Sequence, residues 1–444
     1  MRTHWTSKAA WMMTVLACAG GACEAGAAGT GPDLTVSAIT GTNSYGAVGG
    51  VRGYSVAGTL CNMGDAPVGY SLADADHPVV AQNLYRLVGG RFEQIGMSWL
   101  FNTTIPLDTQ TCGPCTPTGG FGALGAGCSD PHGAGLAGSQ SGLSRRSEVD
   151  PTAGSIAFPQ DGVHTTGDAV FKRLQVRTAD LQADGARYFV ELQCVAPDDA
   201  AAGNGANNAS WREVAVNGSF GLAFVGPTVP GEPAIFAWAD AAGAMVTTVD
   251  VPGGGRLHVG SAASDRGDGT WSYWYVVHNL DRARGVGGFA VPFAGDASEL
   301  AFRDIEHHSG EPYDGTDWDV AADGSGVSWS TDSYADNPDA NAVRWGTAYA
   351  FGFVSDRPPV EGAAALSLFA PGTSDAVEAA VWLPGASCAA DFAEPFGALD
   401  FFDLAAFLQA FNAADPAADL ADPAGVFNFF DVAAYIGLYN AGCP

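Results

Sequence analysis

The densest group of side chains able to do chemistry lies between Phe302 and Asp319, in the stretch FRDIEHHSGEPYDGTDWD. Carboxylates and imidazoles at this density can bind a divalent ion or act as a general acid and base. The run YDGTDW within it is also typical of turns whose Asp side chains are solvated. Both interpretations stay open for Asp304, Glu306, His307, His308, Asp314, Asp317 and Asp319.

A second group combines cysteine with histidine. CGPC begins at Cys112, and CSDPH supplies Cys128 and His132, which gives the spacing C-x2-C-x12-C-x3-H. That spacing suits zinc in a cytosolic chain, whereas the cysteines of an exported chain are expected to form disulfides. We favour disulfides, and the pairing stays open among Cys61, Cys112, Cys115, Cys128 and Cys194.

Acidic and amide side chains recur in two loops near the end of the chain. DFAEPFGALDFFD ends at Asp403 and DLADPAGVFNFFD ends at Asp431, and in each a carboxylate opens the loop, a glycine turns it and an Asp closes it. A hard cation such as Ca²⁺ takes roughly six to eight oxygen ligands of this kind. Helix N-capping explains the closing Asp without any metal. The metal candidates are Asp391, Glu394, Asp400, Asp403, Asp419, Asp422, Asn428 and Asp431.

Each loop leads into a short predicted helix, so the tail is a repeat. Apolar side chains follow the spacing i, i+3, i+4 and i+7 in both copies. They are Leu404, Phe407, Leu408 and Phe411 in the first and Val432, Tyr435, Ile436 and Tyr439 in the second. Neither helix can bury its stripe alone, so we expect the two to pack face to face, with a disulfide between Cys388 and Cys443 across the ends.

With two loop-helix repeats, residues Cys388 to Pro444 resemble the dockerin family, whose repeats each carry an EF-hand-like calcium loop. The loops depart from the twelve-residue pattern of that family. Each has one residue more, a proline (Pro395 or Pro423), and neither Asp nor Asn at the third and fifth positions. The resemblance implies calcium as a cofactor and a docking module whose exposed helix faces meet a partner protein. It implies nothing about the activity of the rest of the chain.

The start of the chain and its charge indicate export. A basic start, an apolar run from Ala9 to Leu16 and an Ala-x-Ala site predict a signal peptide over residues 1–27. We therefore expect a secreted or cell-surface protein, and no later stretch predicts a membrane span. The formal net charge of -29 argues against nucleic acid and anionic membranes as partners.

Between these ends the sequence predicts a mainly β fold. Short runs rich in Val, Tyr, Phe and Trp alternate with Gly and Pro turns, and WSYWYVVHNL from Trp271 is apolar on both faces, which is typical of a strand in the middle of a sandwich. We predict two β-sandwich domains and a small α-helical, two-repeat, dockerin-like tail. The bounds are 31–224 with an insertion at about 109–160, a linker at 225–233, a second sandwich at 234–383 and the tail at 388–444.

Residues from Pro32 to about Ser210 are similar to lysyl oxidase in PDL, NLYRLVGGRFEQIGMSWL, GAGCSDPHGAGL and ADGARYFVELQCVAPDD. That family is a copper amine oxidase on a β-sandwich. Only His77 lies near an expected copper ligand and no lysine lies near the hairpin, so no cofactor residue carries over. PDL and the NN of ANNAS also resemble adhesion-type Ig-like domains, which implies a non-catalytic fold.

These patterns predict an exported, non-catalytic binding or display protein that docks onto a protein partner through its tail. The alternative is a secreted enzyme, either a divergent copper-dependent amine oxidase or a carbohydrate-active protein, with its site in the insertion or around His307 and His308. The two differ because an enzyme needs a convergent polar pocket. The sequence singles out no catalytic residue, no ligand of the β domains and no oligomeric state.

Overall fold

The computed structural model describes residues 30–71, 74–103, 105–385, 388–393 and 399–443. Within these ranges the chain is mainly β, as the sequence predicts. The predicted signal peptide at 1–27 and the metal candidate Glu394 lie outside the described residues. No helix in the described part of the chain is long and apolar enough to cross a membrane. Short 3-10 helices occur at Gln140–Gly142, Arg146–Glu148, Thr178–Asp180, Gly205–Asn207 and Pro416–Ala418.

The first domain consists of short antiparallel strands and two short helices. Tight glycine turns connect hairpins at Gly49–Gly50 and Gly89–Gly90, where positive φ angles require glycine. The strands are β1 (Leu34–Val48), β2 (Val51–Asn62), β3 (Val68–Gly69), β4 (Val79–Val88), β5 (Arg91–Met97), β6 (Leu100–Asn102), β7 (Ala123–Leu124), β8 (Ser129–His132), β9 (Leu143–Ser144), β10 (Val149–Asp150), β11 (Ser155–Ile156), β12 (Leu174–Arg177), β13 (Arg187–Val195), β14 (Ala209–Val216) and β15 (Leu222–Val229). The helices are α1 (Ala134–Ala137) and α2 (Pro197–Ala202).

Eleven of these strands form one sheet that curls on itself. Its order is β1-β2-β12-β5-β4-β13-β14-β15, with β8 on β2, β6 on β4 and β9 on β6. The first strand reaches the last ones, since Thr42 in β1 donates its hydroxyl to the carbonyl of Leu222 in β15 and Arg212 in β14 donates to the carbonyl of Ile39. The curled sheet encloses an apolar core. That core includes Tyr54, Leu84, Leu174, Val190 and Leu192.

Two disulfides hold the insertion predicted at about 109–160. Cys112 bonds to Cys61 in β2, and Cys115 bonds to Cys128. The C-x2-C-x12-C-x3-H spacing therefore offers no free thiolate to zinc. Cys194 is the free cysteine among the described residues, and it is buried.

The side chain of Lys172 fixes the end of this insertion. Its ammonium lies 4.7 Å from the centre of the Trp99 ring, and burial lowers the pKa of Lys172 to about 8. The Nζ atom lies 2.6 to 3.2 Å from the carbonyl oxygens of Gln140, Leu143, Gly162, Val163 and Thr165. Two separate loop segments thus turn their carbonyl groups towards one buried amine, which satisfies polar groups that would otherwise lie unpaired.

The proline-rich segment Val225–Pro233, predicted to be a linker, is partly a strand. β15 continues through Pro227 to Val229 and pairs with β14. A proline is tolerated there because β15 is the last strand of its sheet, where a missing N–H breaks no ladder bond. The chain then enters α3 (Phe236–Ala242), whose Trp238 is fully buried.

The second domain is a sandwich of two five-stranded antiparallel sheets. Its strands are β16 (Met245–Asp250), β17 (Arg256–Asp265), β18 (Trp271–Asn279), β19 (Val286–Pro292), β20 (Ser298–Arg303), β21 (Asp319–Asp323), β22 (Gly326–Ser330), β23 (Thr347–Ser355), β24 (Pro359–Leu368) and β25 (Ala376–Pro384). One sheet has the order β16-β17-β18-β23-β20 and the other β21-β22-β19-β24-β25. Aromatic rings fill the space between them. They include Tyr275, Phe289, Trp329, Phe351 and Phe353.

Strand β18, apolar on both faces, lies where the two domains meet. Tyr275 faces the core of the second domain. Val276, the next residue, packs with Phe92 and Phe189 of the first domain. The apolar pattern predicted that both faces lie inside one sandwich, whereas the structure buries the second face against the other domain. We call this contact the joint.

The guanidinium group of Arg146 lies buried in the joint. Burial lowers the pKa of Arg146 to about 10. Its acceptors are the Ser98 carbonyl at 2.7 Å, the Gly346 carbonyl at 3.0 Å, the Gln82 carbonyl at 3.2 Å and Asn83 Oδ1 at 2.8 Å. Gly346 belongs to the second domain and the others to the first. One cation therefore holds both domains, and a buried charge needs this full set of acceptors.

The tail contains α4 (Phe401–Asn412) and α5 (Phe429–Ala441), which pack against each other. Phe407 and Tyr435 are fully buried and their rings stack with centroids 3.9 Å apart. Cys388 and Cys443 form a disulfide. The predicted stripes pack only in part, because Leu404, Leu408 and Ile436 stay exposed.

Lys172→Met should lower the free energy of unfolding by about 2–4 kcal/mol, because it leaves buried carbonyl oxygens without their donor. Urea unfolding of the full chain measures this. Arg266→Gln is the control, since Arg266 forms an exposed ion pair with Glu299 and its loss should not move the urea midpoint. Equal midpoints for Lys172→Met and the unmodified chain would contradict the expectation.

Candidate functional site

The closing Asp of the first tail loop binds the loop backbone. Asp403 Oδ1 accepts the N–H groups of Phe392 and Ala393, each at 2.9 Å, and Oδ2 accepts that of Asp400 at 2.7 Å. Burial alone would raise the pKa of Asp403, but these hydrogen bonds and one to Asp391 lower it below its ordinary value. The carboxylate is thus held ionised at the point where the loop meets the helix.

The second loop repeats this arrangement. The N–H groups bound by Asp431 are those of Leu420, Ala421 and Asn428. Asp400 and Asn428 are the N-caps of α4 and α5, so predicted metal candidates in each copy take part in closing the loop onto the helix. Asp422 is exposed. Asp419 accepts the N–H of Gly425 through Oδ2, and its Oδ1 is buried without a hydrogen-bond partner.

A pair of phenylalanines projects from the start of each tail helix. Phe401 is 72% exposed and Phe429 is 75% exposed, and Phe402 and Phe430 beside them are also exposed. The two rings of each pair lie edge to face, with centroids 6.2 Å apart in α4 and 6.3 Å apart in α5. The same surface is therefore presented twice. We call these four side chains the phenylalanine pairs.

Sequence reasoning missed the phenylalanine pairs, although FFD occurs at the same place in both repeats. Helical periodicity alone assigns apolar residues to the packed face. The capping residues Asp400 and Asn428 fix where each helix begins, and the two residues that follow then point away from the partner helix. A doubled aromatic directly after a capping residue was the available signal.

A cleft of about 450 Å³ lies between the two domains, and part of the segment Phe302–Asp319 lines it. The structure brings to this cleft Asp304, Glu306, His308 and Asp317. From the first domain it adds Gln94, Gln175, Arg177 and Asp180. His307, Asp314 and Asp319 do not belong to this lining, and Asp314 instead accepts a hydrogen bond from Asn337.

Ion pairs and buried groups give the cleft a mixed charge. Arg303 donates to Asp180 across the two domains at 2.7 Å, and Asp180 also lies 3.2 Å from Arg86. Burial raises the pKa of Asp304. Burial also lowers the pKa of His308 to about 4, so its ring is neutral near pH 7. These groups can hydrogen-bond a small polar molecule, and they include acids whose protonation differs from that of free side chains.

The candidate ligands for zinc or copper are not brought together. His77 hydrogen-bonds an asparagine side chain, His132 lies 3.1 Å from an aspartate oxygen, and Cys128 is in a disulfide. Over the described ranges, the group of three ligand atoms close enough for one ion consists of Asp108, Cys115 and Cys128. The two cysteines of that group are bonded to each other.

No family model matches the chain, and no curated protein matches it either. One solved structure that matches is a serine-rich repeat adhesion glycoprotein from Streptococcus agalactiae. It is 8% identical, the match covers 79% of this chain and 98% of that chain, and the TM-score is 0.20. A likeness at this TM-score carries no argument about fold or function. The resemblances to dockerins and to lysyl oxidase gain no support from these comparisons.

Asp403→Ala should lower the thermal midpoint of the tail by roughly 5–10 °C, because buried N–H groups lose their acceptor. The pKa of Asp403 lies below the ordinary carboxyl value of about 3.9. Ionised Asp403 therefore stabilises the tail fully above about pH 3.9, and this stabilisation is lost as the pH falls through the lowered pKa of Asp403. Circular dichroism at 222 nm from pH 7 to pH 2 follows α4 and α5. Gln409→Ala, at an exposed position of α4, is the control, and an unchanged midpoint for Asp403→Ala would refute the role.

Proposed function

We propose that this chain is an exported binding or display protein without catalytic activity, and that its tail attaches it to a partner protein. The observation that carries the proposal is the repeated, exposed phenylalanine pairs. Large aromatic side chains that remain exposed in a cluster are typical of interaction sites, where they supply most of the binding energy.

The surroundings of these rings indicate the chemistry of the partner. Residues 388–444 contain eight acidic side chains and no Lys, Arg or His. We therefore expect apolar pockets with a basic rim on the partner. Burying one Phe side chain is worth about 1.5–3 kcal/mol, and a Kd of about 1 μM corresponds to about 8 kcal/mol. Four rings thus supply roughly 6–12 kcal/mol before the cost of association, so a micromolar complex also needs the polar contacts of the rim.

The proposal includes calcium in the two tail loops, as the dockerin resemblance implies. The side-chain types suit a hard cation, because they are carboxylate and amide oxygens. An ion would have to draw them together, since among the described residues no three carboxylates of either loop lie close enough for one ion. Asp419 Oδ1, buried without a hydrogen-bond partner, is an oxygen for which a cation is a suitable neighbour. Asp431 Oδ2 accepts one N–H group and keeps a second lone pair. Asp391, Asp400 and Asp403 are the equivalent candidates in the first loop.

An extracellular location is supported by the disulfides. The described residues contain the pairs Cys61–Cys112, Cys115–Cys128 and Cys388–Cys443, and disulfides persist mainly in oxidising compartments. The predicted signal peptide belongs to the same proposal. A cell surface or extracellular scaffold is then where the partner of the tail is to be sought.

A quadruple variant replaces every ring of the phenylalanine pairs by alanine: Phe401→Ala, Phe402→Ala, Phe429→Ala and Phe430→Ala. We expect it to bind intact cells of the organism that makes the protein at least about 100-fold more weakly than the unmodified full chain does, because the anchoring rings are lost. Fluorescently labelled protein is titrated onto the cells with and without an excess of unlabelled protein. The binding that the unlabelled protein displaces is the saturable component. Phe121→Ala is the matched control, because Phe121 is 73% exposed but lies in the insertion. Equal saturable binding by the quadruple variant, with its helices intact by circular dichroism, would overturn the proposal.

Calcium titrated into the metal-free full chain should give two binding events in a calorimeter, one for each loop. Asp419→Ala should remove one event and leave the other, because the buried Oδ1 is lost from the second loop only. Asp415→Ala, a neighbouring acid outside the candidate set, should keep both. If Asp419→Ala and the unmodified chain give the same heats, calcium binding by this loop is excluded.

A further inference from the structure

All four histidines of the second domain lie near the joint, where His258 and His278 are buried and His307 and His308 are half-buried. The ring of His308 donates through Nε2 to the Met97 carbonyl of the first domain, 2.9 Å away. His258 and His278 lie opposite each other on β17 and β18, with ring centroids 5.8 Å apart. His307 lies edge to face on Tyr313, and both of its ring nitrogens are buried. Four titratable rings are thus concentrated around one contact between the domains.

The pair formed by His258 and His278 has few hydrogen bonds. His258 Nδ1 contacts the hydroxyl of Thr248 at 3.0 Å. Its Nε2, and both ring nitrogens of His278, are buried and have no hydrogen-bond partner in the structure. A neutral ring tolerates this at moderate cost, but a charged imidazolium without an acceptor does not.

Burial outweighs the carboxylate that faces this pair, since Glu191 alone would raise the pKa of His278 and yet that pKa is lowered. Glu191 in β13 faces His278 from the first domain, and Arg256 lies on the same strand as His258. Neighbouring α3 contributes the Phe236 ring, and β23 places Ala348 opposite His278. The carboxylate of Glu191 is already engaged. Its donors are the Asn83 side chain, the Tyr85 hydroxyl and the N–H of Ala234.

His307 and His308 have cationic neighbours. Arg146 faces both rings, and Arg344 faces His307. Glu311 is the nearby carboxylate, and it accepts the N–H of Arg146. Burial, reinforced by these cations, lowers the pKa of both rings, to about 4 for His308. Burial likewise lowers the pKa of His258 and of His278.

We propose that the joint is an acid-sensitive contact, in which protonation of His258, His278, His307 and His308 below about pH 6 separates the two folded domains and opens the cleft between them. The sign follows from linkage. A histidine that is neutral in the closed joint and titrates near 6.5 in the open one stabilises the closed form fully above about pH 6.5, and this contribution is lost as the pH falls towards 4.

Four carboxyl groups act in the opposite direction. Burial raises the pKa of Asp199 and of Asp281 to about 6, and also raises that of Asp304 and of Glu311. Between about pH 6.5 and pH 5.5 His308 shifts the open-to-closed ratio by about fivefold towards open, whereas Asp199 and Asp281 each shift it by about threefold towards closed. His258, His278 and His307 act in the same direction as His308, and the proposal requires the four histidines together to outweigh the carboxyl groups.

Hydrogen exchange of the full chain, corrected for intrinsic rates and followed by mass spectrometry from pH 7 to pH 5, tests the proposal. Peptides covering Arg146 and Ser147, whose N–H groups bind the Glu311 carboxylate of the other domain, should lose protection reversibly as the pH falls, while β19 and β24, away from the joint, stay protected. His258→Gln with His278→Gln should reduce the acid-induced change several-fold. His164→Gln, an exposed histidine of the first domain, should behave like the unmodified chain.

Small-angle X-ray scattering of the same samples provides a second measurement, since domain separation increases the radius of gyration. Should the first double variant fail to fold, His307→Gln with His308→Gln removes the other pair of titrating rings and must blunt the same transition. Unchanged protection and radius between pH 7 and pH 5 would overturn the proposal. So would acid opening that is identical in the unmodified chain and in both double variants.

Discussion

The buried guanidinium of Arg146 is the interaction on which the arrangement of the body depends. The residue belongs to the insertion, its acceptors lie in β4, beside β5 and in the second domain, and its own carbonyl accepts the indole N–H of Trp345. A buried cation is stable only when its donors are paired. The insertion, the curled sheet and the sandwich all contribute to the surroundings of this one cation, so the closed arrangement of the two domains depends on all three.

This requirement explains several features of the joint. Burial, reinforced by the positive charge of Arg146, keeps His307 and His308 neutral, and the N–H group of Arg146 positions Glu311. The same approach of the domains creates the cleft lined by Asp180 and Asp304. Several buried titratable groups of the body thus lie between the domains, whereas the phenylalanine pairs lie in the tail.

The sequence predicted the helices and strands better than it predicted the contacts that each of them makes. The mainly β body and the repeated tail helices follow from local periodicity and turn residues, which need no knowledge of distant contacts. The contact made by the second face of β18 could not be predicted in this way. Burial against another domain and burial within a sandwich leave the same apolar pattern in the sequence. Pro227 looked like a linker residue because the sequence does not show that it lies in an edge strand. The position of a strand at the edge is a property of the whole sheet. Arg146 carries no local signal at all, since its acceptors are 48 to 200 residues away.

Lys172 has a consequence for covalent chemistry on this protein. Apart from Lys8 in the predicted signal peptide it is the only lysine of the chain, and its amine is enclosed by backbone carbonyls. The folded surface of the described residues therefore offers no lysine to acylating labels, amine crosslinkers or aldehyde fixatives. Conjugation through side chains is then directed to its many carboxylates, and a lysine added by mutagenesis becomes the one exposed lysine of the described surface.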